Sequence, residues 1–156
     1  MTSLLASIAL LMWGLACAIQ DIQKKRISNT LILTLFLVAL AYLLSTGNTL
    51  LQFSAEQAVL GLIYAVALSL PGYILGRVGA ADVKMLSTIA IATSSTYVLI
   101  CFIGAAISVA IWVTVKPLWL KLPSAVKDAL PLMDPTTGKS LPYAPFLWIG
   151  MLLATV

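Results

Sequence analysis

Two aspartates are the residues of this chain best suited to catalysis. Asp21 follows a long apolar run and precedes the basic turn Lys24-Lys25-Arg26, and Asp82 follows a turn of small residues. The whole chain of 156 residues holds only five Asp and Glu. An ionisable residue at the edge of an apolar segment is a candidate for function, so both carboxylates call for an explanation.

A pair of carboxylates could hydrolyse a peptide bond. When two carboxyl groups lie close in a partly dry site, one pKa rises and the pair shares a proton. The ionised group can take a proton from the attacking water, and the protonated group can polarise the carbonyl and help the amine leave. The sequence leaves open which aspartate has which role, because the titration belongs to the pair.

Each aspartate also has a structural interpretation. Asp82 could cap a helix N-terminus, where a negative charge suits the helix dipole. Asp21 could pair with Lys24 or Lys25 at helical spacing. The structural interpretation is weaker for Asp21, because a carboxylate at a helix C-terminus opposes the dipole.

Other catalytic chemistries find little support in the composition. The chain has no histidine, which excludes a histidine base, a histidine triad and a histidine-ligated metal. Cys17 and Cys101 stand alone in apolar runs, so they do not form the paired pattern of a zinc site. We therefore predict neither a metal nor a cofactor.

Composition predicts an all-α, polytopic transmembrane helix bundle in a single domain, residues 1–156. Hydrophobic residues make up 62% of the chain and charged residues 9%, against about 25% charged in soluble domains. The apolar runs are continuous rather than alternating, which argues against a barrel. The net charge of +4 is interpreted as basic cytoplasmic loops rather than as a nucleic-acid surface.

About six helices are expected, one of them short. The long apolar stretch after Asp82 decides the count: a single span would leave Lys116, Lys121 and Lys127 outside, whereas two spans return them to the cytoplasm. This topology places all nine basic residues on one side, and Asp21 and Asp82 at the same cytoplasmic edge. The expected helices are 3–20, 29–44, 55–75, 83–94, 97–115 and 146–156, with a loop at 117–138 that includes a short interfacial helix at 124–130.

Taken in order, three motifs resemble those of the type IV prepilin peptidases, which are intramembrane aspartyl proteases. Family members carry an aspartate before a basic turn and Ile-Pro-Asn, then a Gly-x-Gly-Asp motif followed by a lysine, then a closing Pro-containing segment. The matching runs here are Asp21 with Lys24-Lys25-Arg26-Ile27-Ser28-Asn29, then Gly79-Ala80-Ala81-Asp82-Val83-Lys84-Met85-Leu86, and Leu141-Pro142-Tyr143-Ala144-Pro145-Phe146. Ala81 and Ser28 depart from the family pattern, which has glycine and proline there.

The resemblance implies roles for particular residues. It makes Asp21 and Asp82 the catalytic pair and gives the motif backbone of Gly79, Ala80 and Ala81 a part in substrate binding. Family substrates carry a glutamate shortly after the cut, and Lys84 could receive it; anchoring at the membrane interface is the alternative role for this lysine.

The resemblance also implies a partner and a location. The substrate would be a prepilin with a basic leader and an apolar N-terminal helix, cut at the cytoplasmic face of the bacterial inner membrane. The chain is similar to the short, protease-only form found with tight-adherence pilus systems, so membrane lipids and pilus or secretion assembly proteins are expected neighbours. Two other functions stay open: a small proton-relay or transport subunit, and a non-catalytic assembly protein.

Overall fold

A computed structural model describes residues 2–76, 78–114 and 142–155. In these residues the chain is helical and contains no strand, which confirms the all-α class. The six helices are α1 (Thr2–Lys24), α2 (Asn29–Thr46), α3 (Ala55–Ile74), α4 (Ala80–Ala92), α5 (Ser95–Thr114) and α6 (Ala144–Ala154). Four of them, α1, α2, α3 and α5, are long and apolar enough to cross a membrane.

Helix bounds differ from the sequence expectation at three ends that matter for the site. The fourth helix was expected at 83–94 but begins at Ala80, so that Asp82 lies inside it. The first helix does not end at Gln20 but continues to Lys24, because Gln20, Gln23 and Lys24 all favour the helical state. The last helix begins at Ala144 rather than at Phe146, with a proline in its first turn, where a missing N–H costs nothing. The predicted loop 117–138 and interfacial helix 124–130 lie outside the described residues.

Helix α4 forms the centre of the bundle. It packs against α2, α3 and α5, and Met85, Leu86 and Ile89 on it are almost fully buried. Large apolar side chains on the longer helices are instead exposed, as expected where a helix faces lipid rather than protein. The most exposed examples are Leu4, Leu5, Met12, Leu44 and Ile74.

The shortness of α4 is compensated by the connection between α2 and α3. A helix of 13 residues rises only about 20 Å, less than the hydrocarbon thickness of about 30 Å. The chain turns at Gly47, which has a left-handed φ of 72°, and folds over the end of α4. The backbone N–H of Leu51 donates to the carbonyl of Ala92 at 3.3 Å, which satisfies one of the free carbonyls at this helix end.

Helix α6 lies against α1 and α5 and is fixed closely to α5. A Cβ added at Gly150 would lie only 2.1 Å from the carbonyl oxygen of Cys101, so only glycine permits this approach. The Tyr97 hydroxyl donates to the carbonyl of Met151 at 3.1 Å. These contacts determine where the N-terminus of α6 lies, and that N-terminus reaches the two aspartates.

Candidate active site

Asp21 lies in the last turn of α1 and is only 7% exposed. Its Oδ2 accepts a hydrogen bond from the backbone N–H of Ala144 at 3.0 Å, and the backbone N–H of Tyr143 interacts with the same carboxylate. These donors belong to the N-terminus of α6, the positive end of that helix dipole. They offset the unfavourable position of a carboxylate at the C-terminal end of α1.

Asp82 lies in the first turn of α4, just before the predicted span 83–94, and is 9% exposed. Its Oδ2 accepts a hydrogen bond from the backbone N–H of Gly79 at 3.0 Å. The capping interpretation of this residue is therefore confirmed. Capping does not exclude a second role, because a carboxylate has two oxygens and room for further hydrogen bonds.

The structure brings the two aspartates to one place. Burial, and after it the negative charge of Asp21, raises the pKa of Asp82 to about 7, although the bond from Gly79 acts in the opposite direction. Burial and the charge of Asp82 likewise raise the pKa of Tyr143 to about 12. Asp21, Asp82 and Tyr143 thus form one electrostatic cluster, contributed by α1, α4 and the start of α6.

The described basic residues near the cluster act on the carboxylates through their charge and not through a direct ion pair. The charge of Lys25, four residues after Asp21, acts on that carboxylate, although Lys25 lies just beyond the end of α1 with a positive φ of 48° and not at the helical spacing that was predicted. Among the described residues, however, neither Asp21 nor Asp82 forms an ion pair. The same described part of the chain has no group of three His, Cys, Asp or Glu that could hold a metal ion.

The small residues before Asp82 allow the turn that leads into α4. Gly79 has an extended backbone, with φ −78° and ψ 153°, and immediately precedes the helix. A Cβ there would lie 3.0 Å from the Asp82 Oδ2, so glycine leaves room for the capping bond. Ala80 and Ala81 already belong to α4, and an alanine at position 81 suits a helix better than glycine does.

Lys84 lies on the exposed side of α4, one turn into the helix. Its Nζ donates to the Oδ1 of Asn29 at 3.2 Å, which links α4 to the first residue of α2. Lys84 therefore lies at the same end of the bundle as Asp82, but it is directed towards α2 rather than towards Asp21.

Three residues of this region were not identified as site residues from the sequence. Tyr143 and Ala144 were noted only as part of a closing segment, because a backbone N–H that binds a carboxylate has no side-chain signature. Asn29 was noted only within a motif and was given no role of its own. Its position in the run Ile27-Ser28-Asn29, which belongs to the first aspartate motif, was the signal that could have linked it to the site.

Comparison with known proteins gives one match. The model of the type IV leader peptidase family matches residues 8–114. This range includes both aspartates and Lys84 and ends before α6. No curated protein and no solved structure matches the chain.

Proposed function

Since the chain belongs to the type IV leader peptidase family, we propose that it is an intramembrane aspartyl endopeptidase that removes the basic leader from prepilin-like substrates. The family indicates a protease of the leader-peptidase type. The aspartyl mechanism is supported by one observation above all: two buried carboxylates from separate helices interact at the end of the bundle where α1 ends and α4 begins.

In this mechanism Asp21 is the base and Asp82 is the acid. Asp21 is stabilised as the carboxylate by the backbone N–H groups of Ala144 and Tyr143. Asp82, with its raised pKa, holds the shared proton. Water attacks the peptide carbonyl carbon and gives a proton to Asp21, while Asp82 hydrogen-bonds the carbonyl oxygen and then protonates the departing amine.

The depth of the pair suits a substrate that is itself a membrane helix. Asp21 lies three residues, a rise of about 4–5 Å, before the end of α1, where the basic residues lie. Basic residues mark cytoplasmic loops, so the cut would occur just inside the cytoplasmic boundary. A prepilin with a basic leader in the cytoplasm and an apolar helix in the membrane presents its cleavage site at this level.

Lys84 is proposed as a substrate contact. Its ammonium group is exposed at the same end of the bundle as the pair, and within the described part of the chain its hydrogen-bond partner is the neutral side chain of Asn29. It could therefore receive an acidic residue that follows the cut bond in the substrate. The motif backbone of Gly79, Ala80 and Ala81 borders Asp82 and is proposed to lie against the substrate chain.

The test is cleavage of a co-expressed prepilin by the wild type and by single variants. We expect Asp21→Ala and Asp82→Ala each to lower the cleavage rate by at least about a hundredfold, the scale of one acid or base group. Lys84→Met should mainly raise KM. The control is Glu56→Gln, which removes the exposed acid in the first turn of α3 and should cleave normally.

The same assay can contradict each part of the proposal. Normal cleavage by both aspartate variants would exclude the aspartyl mechanism. Normal cleavage by Lys84→Met would leave this lysine the role of an interfacial anchor.

A further inference from the structure

A groove between α2 and α4 lies at the same end of the bundle as the aspartate pair. It has a volume of about 500 Å³. Its walls are two helical stripes that face each other. They are formed by Asn29, Ile32, Leu33 and Phe36 on α2, and by Val83, Lys84, Ser87 and Thr88 on α4.

The groove has a polar end and an apolar end. Asn29 and Lys84 form the polar end, at the level of Asp82, and Ile32, Leu33 and Phe36 continue it as an apolar wall. The stripe on α2 spans two helical turns, about 10 Å.

Two hydroxyl groups line the groove, but their donors are already used within α4. The hydroxyl of Ser87 donates to the carbonyl of Val83 at 2.9 Å, and that of Thr88 to the carbonyl of Lys84 at 2.8 Å. Both donors are therefore satisfied within α4. An apolar side chain can therefore cover this part of the groove without leaving a buried donor unpaired.

We propose that this groove binds the apolar helix of the substrate, beginning just after the bond that is cut. The inference rests on the proposed function and specifies where the substrate lies. Lys84 lies two residues after Asp82, a rise of about 3 Å along α4, so a helix seated in the groove has its end at the depth of the catalytic pair. Because Lys84 points about 160° away from Asp82 around α4, the substrate residues before that helix have to pass over the N-terminus of α4 to reach the pair. The ammonium of Lys84 complements a carboxylate at that end of the substrate.

The groove can be tested by cross-linking at two matched positions on α2. Leu33 lines the groove and is 54% exposed, and Val38 is 53% exposed but does not line it. Five residues apart, they point about 140° from each other around the helix. A photoreactive residue is placed at each position in an Asp82→Asn chain, where the amide oxygen still accepts the bond from Gly79, together with an uncleaved prepilin.

We expect adducts between position 33 and the apolar segment of the prepilin, and none from position 38. Equal substrate adducts at both positions would contradict binding in the groove, and so would lipid adducts alone at position 33. If the wild type cleaves the same prepilin, either result leaves the proposed protease function standing. Absence of cleavage by the wild type in these membranes would overturn both the proposed function and this inference.

A kinetic test uses variants of the groove that keep both aspartates. Leu33→Trp fills part of the groove, and we expect kcat/KM to fall about tenfold, mainly through KM, which corresponds to about 1.4 kcal/mol. Val38→Trp adds the same bulk on the other face and should stay within about twofold of the wild type, a difference of less than 0.5 kcal/mol or so. Equal kinetics for the two variants at equal membrane abundance would contradict the proposal.

Discussion

The two aspartates differ in the backbone groups that donate hydrogen bonds to them. Asp21 accepts bonds from the start of α6, 123 residues away, whereas among the described residues Asp82 accepts a bond only from nearby Gly79. A carboxylate at a helix N-terminus is favoured in its charged form, and burial with a like charge nearby favours the neutral form. Two backbone donors from the start of α6 favour the charged form of Asp21, against one from Gly79 at Asp82, which separates two chemically identical groups.

This separation predicts a dependence of stability on pH. The pKa of Asp82 is about 7 in the folded chain against a model value of 3.8. Since the folded pKa is raised, the stabilisation is fully present below about pH 4 and is lost as the pH rises to about 7. We expect the thermal unfolding midpoint of the wild type, in detergent, to fall over this window relative to Asp82→Asn, by about 5 °C or more.

The comparison uses the difference between the two proteins, since other groups titrate in both. Glu56→Gln is the control, because Glu56 is an exposed acid on another helix, and its curve should run parallel to that of the wild type. A constant difference between wild type and Asp82→Asn from pH 4 to pH 8 would show that Asp82 is not buried beside a second charge.

At the scale of single residues, the sequence allowed the charged side chains of the candidate site to be selected, but not the backbone N–H groups of α6 that bind Asp21. Asp21, Asp82 and Lys84 could be selected because charge is scarce in the chain and each occurs in a recognisable motif. The contribution of Tyr143 and Ala144 could not be predicted, because any residue except proline carries an N–H, and only the folded chain shows which one meets a carboxylate.

At the scale of the helices, α6 links packing to chemistry. It is held against α5 by the close approach of Gly150 to the carbonyl of Cys101, and its first residues bind Asp21. A displacement of α6 should therefore weaken the site without touching either aspartate.

The substitution Gly150→Ala tests this link. Overpacking a close helix contact costs about 1–3 kcal/mol, so the unfolding midpoint should drop, and prepilin cleavage should fall further than the loss of folded protein explains. Ile149→Ala on the same helix is the control, because Ile149 is 38% exposed and should tolerate truncation. Cleavage in proportion to folded protein for Gly150→Ala would argue against a positioning role for α6.

Helix existence and order were easier to predict from the sequence than helix ends. The division of the stretch after Asp82 into a short and a long helix followed from the distribution of lysines, and α4 and α5 have this form. The continuation of α1 through Asp21 was missed, because the polar residues after Gln20 were interpreted as a turn. Only the bonds from α6 make a helical Asp21 acceptable at that end.

For the whole molecule, the ends of the helices define two sides. The ends of α1 and α3 and the starts of α2, α4 and α6 lie on the side of the aspartates, and the connection from α2 to α3 lies on the other. The basic residues predict that the aspartate side is cytoplasmic. This orientation stays a prediction, and it decides which part of a substrate the enzyme can reach.

Cysteine labelling in intact cells tests the orientation. Both native cysteines are fully buried, so the background should be low without removing them. An exposed cysteine from Ser45→Cys, in the last turn of α2, should react with a membrane-impermeant maleimide added from outside the membrane. A cysteine from Gln23→Cys, also at an exposed position, should react only after permeabilisation, because it lies two residues from Asp21, on the side that is predicted to be cytoplasmic. The opposite pattern would place the aspartates on the outer face, where the basic leader of a prepilin is not found, and would rule out cleavage from the cytoplasm.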